Sequence, residues 1–149
     1  MKISIRQLSI EGLRALKIFH TKHACSYRIS DTSFVNYLTF PQYVVVVAMN
    51  VNGIILGYTI CLVAIDEADV IYLYVDAKYR CRGIATQIFK YFMSSISGLK
   101  RMHLEVDVNN AEAINFYKKN EFKIIRIRKA YSNNSDSCEM IWCKVEHTV

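Results

Sequence analysis

The chain has 149 residues, 52% hydrophobic and 21% charged, with one proline and five glycines. That length suits a single domain with its own core over residues 1–149, and that composition excludes a disordered, collagen-like or low-complexity chain. A net charge of +6 favours acidic partners such as nucleic acid, a ribosome surface or cofactor phosphates, without choosing among them.

Ile3 and Ile5 alternate with Lys2, Ser4 and Arg6, the pattern of a first strand. The N-terminus lacks the apolar core and cleavage site of a secretory signal, and no apolar run reaches the roughly 20 residues of a membrane helix. The expected location is therefore cytoplasmic, with no membrane contact. Ser9 is placed to cap a helix starting near Ile10, with Ile10, Leu13, Leu16 and Phe19 facing inward. A second helix is expected from Ser30 or Asp31, turning Phe34 and Leu38 inward. Residues 43–51 and 54–65 are β-branched runs joined by Asn52-Gly53, a dipeptide suited to a tight hairpin.

After the acidic turn Asp66-Glu67-Ala68-Asp69, a fourth strand is expected from about Val70 to Asp76, apolar enough for a central strand covered on both faces. A helix over 83–97 aligns Ile84, Ile88, Phe92, Ile96 and Ala85, Phe89, Met93 in two rows. Residues 101–108 return to a strand and 110–120 to a helix. Residues 122–131 and 138–145 close the chain as strands around Ser132-Asn133-Asn134-Ser135.

Cys25, Cys61, Cys81, Cys138 and Cys143 contain no CxxC pair, which argues against a disulfide framework or a four-cysteine zinc site and fits free thiols. His20 and His23, near Cys25, have no third and fourth ligand in view, so no metal is expected. Lys118, Lys119, Lys123, Arg126, Arg128 and Lys129 form the densest basic stretch, read either as a solvated face or as a surface for RNA or the ribosome.

Chemistry concentrates in two segments. Arg80-Cys81-Arg82-Gly83-Ile84-Ala85-Thr86 lies between a strand and a helix. The first amides of a helix have no partner within it, so they can receive an anion. Gly83 and small Ala85 allow close backbone approach to a pyrophosphate, and Arg80 and Arg82 add charge. An ordinary strand-to-helix connection is the other reading. The loop lacks the Lys-Ser/Thr ending of a triphosphate loop and the three spaced glycines of a dinucleotide site. On the strand 101–108, Met102, Leu104, Val106 and Val108 share one face, and His103, Glu105 and Asp107 the other. Glu105 is a candidate proton acceptor, or else one of a solvent-facing polar row. Asn110 is a candidate helix cap whose amide can also bond a ligand, and Tyr117 is either a proton donor to a leaving thiolate or a packed core tyrosine.

Taken together, Leu73-Tyr74-Val75-Asp76 leading to Arg80-Cys81-Arg82-Gly83-Ile84-Ala85, and Asn110-Ala111-Glu112-Ala113-Ile114-Asn115-Phe116-Tyr117, resemble the two motifs of the GNAT superfamily of N-acetyltransferases. The first is similar to its Arg/Gln-x-x-Gly-x-Gly/Ala cofactor motif, the second to its Asn-x-x-Ala-x-x-x-Tyr helix. The resemblance implies an α+β (α/β) fold: a mixed, mostly antiparallel, twisted seven-stranded sheet with helices on both faces, in the order β-α-α-β-β-β-α-β-α-β-β. It implies acetyl-CoA as co-substrate and no metal, with Leu73, Tyr74 and Val75 holding the pantetheine arm and acetyl carbonyl. Cys81, Arg82, Gly83, Ile84, Ala85 and Thr86 would hold the pyrophosphate and Asn110 the pantetheine. Glu105 becomes the general base, Tyr117 the general acid and Tyr131 a substrate contact.

Within the superfamily the likeness is to members that acetylate protein N-termini, ribosomal proteins among them, without a direct nucleic-acid function. Direct attack of a neutral amine is expected, with no acetyl-enzyme, since Cys81 lies in the phosphate loop. Two departures stand out. Glu121 replaces the glycine that usually precedes Phe122, and Ser132-Asn133 follow Tyr131 in place of a tyrosine and a proline. A small-amine acetyltransferase and a non-catalytic RNA- or ribosome-binding module stay open as alternatives.

Overall fold

The computed structural model describes residues 1–23, 28–130 and 135–145. The elements are β1 Ser4–Gln7, α1 Leu13–His23, α2 Asp31–Thr39, β2 Tyr43–Met49, β3 Ile55–Ala64, β4 Glu67–Val75, α3 Ile84–Ser95, β5 Arg101–Asp107, α4 Ala111–Lys119, β6 Lys123–Arg128 and β7 Ser137–Cys143. Seven strands form a mixed, mostly antiparallel sheet hydrogen-bonded in the order β1-β2-β3-β4-β5-β7-β6, with β4 and β5 parallel. This is the element order expected from the sequence, with 3-10 turns added at Ile10–Gly12 and Ala77–Tyr79. The chain divides into two compact units, Met1–Val63 with Val70–Ser97 and Ala64–Asp69 with Gly98–Val149.

In the first unit, α1, α2, β2 and β3 bury Leu16, Phe19, Phe34, Val45, Val47, Tyr58 and Ile60 in one cluster. Each such side chain contributes roughly 1.5–3 kcal/mol through burial. Ser30 caps α2 as expected, its Oγ accepting from the Ser33 amide at 3.1 Å. Phe34 is buried and Leu38 half-buried. Ser9 differs: it caps no amide, and its hydroxyl donates to the Glu11 carboxylate. The turn that follows is 3-10, whose tighter winding leaves Ile10 39% exposed rather than inward.

The β2–β3 connection is also wider than the sequence led us to expect. Met49 pairs with Ile55, so five residues form the loop, and Asn50 Oδ1 brackets it by accepting from the amides of Asn52 and Ile54 at 2.9 and 3.0 Å. Part of the expected acidic turn is strand. Ile65 and Asp66 alone make the turn, with Ile65 at a φ of 58°, and β4 begins at Glu67. Val70 to Tyr74 are half-buried, not covered on both faces as their apolar content suggested.

Gly57 in β3 lies against the end of β4, where a Cβ would stand 2.9 Å from the Tyr74 carbonyl oxygen and 3.1 Å from Val75 Cγ2. Backbone cannot yield as a flexible side-chain tip can. Gly57→Ala is therefore expected to destabilise the protein by about 1–3 kcal/mol in chemical denaturation, the usual range for overpacking. An unchanged midpoint would show that β4 shifts freely.

In the second unit, β5 and β7 pair along their whole length, from Arg101 opposite Cys143 to Asp107 opposite Ser137. Met102, Leu104, Cys138 and Met140 are buried with Phe122. The predicted division of β5 holds at Met102 and Leu104, which are buried, and at Glu105 and Asp107, which are exposed, while His103, Val106 and Val108 are all half-buried. β6 is the edge strand, exposed at all six positions. It is shorter than the expected 122–131, and Tyr131 and the turn residues 132–134 lie outside the described residues.

Candidate active site

The loop and helix start expected from the sequence to receive an anion lie in the first unit. α3 opens at Gly83, whose φ of 78° is left-handed and which offers no side-chain cap. Cys81, two residues earlier, is also left-handed, with a φ of 61°. The first helical bond of α3 in the main chain is from the Gln87 amide to the Gly83 carbonyl, so the amides of Ile84, Ala85 and Thr86 precede the helix's own bonding pattern. A Cβ built on Gly83 meets nothing within 4 Å. Amides with no side-chain cap, beside the open space at Gly83, suit a diphosphate, since the helix start carries a partial positive charge.

Two arginines flank this loop in a way the sequence did not show. Arg80 turns back on the strand: its Nε donates to the Val75 carbonyl at 3.1 Å and its guanidinium lies 5.2 Å from the Tyr74 ring centroid. Arg80 thus clasps the loop to the Leu73–Tyr74–Val75 segment. Arg82 lies 5.5 Å from the Tyr79 ring. The missed 3-10 turn Ala77–Tyr79 explains the spacing, and buried Asp76 caps it by accepting from the Lys78 amide at 3.0 Å. The sequence signal was present, because Asp is a strong capping residue, but Asp76 read as the end of the strand.

The parallel ladder between β4 and β5 is short, pairing Glu67, Ala68 and Asp69 with Arg101, Met102 and His103. Leu73, Tyr74 and Val75 lie beyond it, at the loop end of β4.

In the second unit, Glu105 sits on β5 with its carboxylate 3.0 Å from Arg128 Nη1. Directly opposite, across the β5–β7 register, stands Glu139, and Arg126 forks onto it at 2.9 and 2.6 Å. Those bonds from Arg126 hold the Glu139 carboxyl below the usual carboxylate range. Asn110 caps α4, its Oδ1 accepting from the Ala113 amide at 3.1 Å. Tyr117 is only 9% exposed, its ring set 5.4 and 5.6 Å from those of Phe116 and Phe122. Tyr131, the expected substrate contact, lies outside the described residues.

The basic stretch is partly neutralised, with Arg126, Arg128 and Lys129 paired to Glu139, Glu105 and Asp136. Lys118 and Lys119 end α4, where cations complement the helix dipole. His20 and His23 take separate partners: His20 Nδ1 is 2.7 Å from the Tyr58 hydroxyl, and His23 Nε2 is 3.6 Å from Asp76. Burial raises the Tyr58 phenol well above its ordinary range, so it stays protonated. Among the described residues no group of three or more His, Cys, Asp or Glu is placed to hold a metal, and no helix is long and apolar enough to cross a membrane.

An uncapped, glycine-opened helix start after the fourth strand of a mixed sheet is an arrangement that can receive a phosphate group. Residues 41–124 match the family model described as "Acetyltransferase (GNAT) domain", and the chain belongs to that family. It is 29% identical over 90 residues to the [ribosomal protein bS18]-alanine N-acetyltransferase of Escherichia coli strain K12, a match over 59% of this chain and 61% of that relative. The crystal structure of the ribosomal-protein-S18-alanine N-acetyltransferase from Escherichia coli has a TM-score of 0.86 at 22% identity, covering 99% of this chain and 97% of that one. Arabidopsis thaliana NAA60 in complex with acetyl-CoA has a TM-score of 0.81 at 19% identity, covering 95% and 98%.

Proposed function

We propose that the protein transfers the acetyl group of acetyl-CoA to a primary amine, the N-terminal α-amine of a ribosomal or other protein. The observation that carries this reading is the open start of α3, with Cys81 and Gly83 both left-handed and no side-chain cap, in a chain of the GNAT family. The amides of Ile84, Ala85 and Thr86 hold the diphosphate, and the main chain of Leu73–Tyr74–Val75 lines the pantetheine arm. When bound, acetyl-CoA supplies an activated thioester carbonyl.

Glu105 takes the proton of the attacking amine on its carboxylate, directly or through water. Main-chain N–H groups at the loop end of β4 stabilise charge on the carbonyl oxygen. The Tyr117 hydroxyl donates to the departing sulfur. An α-amine has a reference pKa of about 7.7–8.0 against about 10.4 for lysine, so an N-terminal acceptor demands less of a carboxylate base. Reducing conditions in the cytoplasm suit the free Cys81 thiol, which takes no part in transfer.

The test has two stages. Acetyl-CoA at 100 times its dissociation constant is expected to stabilise the protein by about 2.7 kcal/mol in thermal unfolding. Mass spectrometry of peptides carrying candidate N-termini, beside polyamines and aminoglycosides, then reads the acceptor. Acetylated peptide α-amines support the proposal. Thiol release with small amines alone would move the acceptor to that class, and neither stabilisation nor transfer would remove the enzyme.

A further inference from the structure

A row of three side chains crosses the second unit. Glu105 on β5 is the register partner of Glu139 on β7, and Glu139 is the partner of Arg126 on β6. Two carboxylates directly opposite each other in a sheet repel, so the arrangement needs a compensating charge. Arg126 provides one through its fork on Glu139, whose side chain is only 6% exposed. Arg128 provides the second, with Nη1 3.0 Å from Glu105 Oε1 and Nη2 3.8 Å from Glu139 Oε1. Two acids and two guanidiniums sum to zero.

A β-bulge makes this possible. Ile124 pairs with Met140, yet the next pair is Arg126 with Glu139, so Ile125 is the extra residue. Without it, strict alternation would set Ile125 against Glu139 and Arg126 against Cys138, sending both arginines to the opposite face. An inserted residue on an exposed edge strand thus brings two cations onto the face of Glu105.

The consequence concerns the base. A carboxylate paired only with arginine is a poor proton acceptor, because the cation favours the charged form. An adjacent anion acts the other way. We infer that Glu139 and Arg128 are positioning residues that set the basicity of Glu105, Arg128 fixing its carboxylate and the anion of Glu139 restoring the proton affinity that Arg128 removes. The inference rests on the reading of Glu105 as base. Other charged groups on this face are Arg101, His103 and Asp107 on β5, Glu67 and Asp69 on β4, which lie 2.6 Å from Arg101 and 3.4 Å from His103, and Lys123 at the start of β6.

The experiment is the pH dependence of kcat at saturating peptide acceptor for Arg128→Gln, Arg128→Lys and Glu139→Gln, beside Glu105→Gln, since kcat follows the groups of the bound complex and not the free amine. Losing the Arg128 cation favours the protonated carboxyl, so the acid limb is expected to move up by about one pH unit. Losing the Glu139 anion favours the carboxylate, so the limb moves down by a similar amount, and Arg128→Lys stays near the parent. Opposite displacements, with the thermal shift from acetyl-CoA unchanged, support the inference. Limbs that coincide with the parent in both glutamine variants, while Glu105→Gln is inactive, overturn it and leave the base in place. Activity retained by Glu105→Gln overturns the base and the inference together. Arg128 is exposed, so its variants fold even where loss of buried Glu139 unsettles β7.

Discussion

Glu105→Gln is expected to lower kcat/KM for a peptide acceptor by about 10²–10⁴-fold, the range for loss of a positioned general base. The substitution keeps shape and hydrogen-bonding reach and removes only the capacity to take a proton. Glu105 lies on a strand fixed on one side by the full β5–β7 register, so the amide is held where the carboxylate was. Its ion pair with Arg128 is half-exposed on both sides, and pairs of that kind contribute about 0–1 kcal/mol, so the fold should tolerate the change. Acetyl-CoA is expected to raise the melting temperatures of variant and parent alike, because the proposed diphosphate site uses main-chain amides of α3. A fall in turnover with cofactor binding intact locates the defect at the chemical step. A loss confined to KM would instead assign Glu105 to acceptor binding.

The parts legible in the sequence were those set by local pattern. The apolar rows of α3, the alternation along β5, and the caps Ser30 and Asn110 follow from spacing and from side-chain oxygens placed beside free amides. Features decided by tertiary register were not legible. Nothing in Lys-Ile-Ile-Arg-Ile-Arg marks Ile125 as the bulged residue; the choice is made by which face brings Arg126 to Glu139. Left-handed residues other than glycine were hidden as well. Glu121 stands where the resemblance expects glycine, and its φ of 72° is left-handed. The amide bonds of Asn120, Glu121 and Phe122 to Phe116, Tyr117 and Lys118 carbonyls hold that turn against a strain of about 1–2 kcal/mol. At Cys81 and Gly83 the same backbone region serves the proposed phosphate site, and only the glycine advertised it.

Gly83→Asp is expected to abolish the stabilisation by acetyl-CoA while leaving the fold close to its own stability. Two effects are separable here. The backbone effect is small: Asp is among the residues that best tolerate the left-handed region, a penalty of about 1–2 kcal/mol, and its Cβ would enter open space. The electrostatic effect is large. A carboxylate at the helix start places a negative charge where the Ile84, Ala85 and Thr86 amides are to receive a diphosphate, and like charges brought together at a binding site cost several kcal/mol. At about 1.4 kcal/mol for each factor of ten, that weakens acetyl-CoA by roughly 10²-fold or more. Gly83→Ala isolates the first effect, since its methyl meets nothing within 4 Å and carries no charge. Alanine should retain most of the thermal shift and aspartate none. If the two variants bound acetyl-CoA equally well, the phosphates would lie away from the start of α3, and the placement of the thioester relative to Leu73, Tyr74 and Val75 would have to be sought elsewhere on the chain.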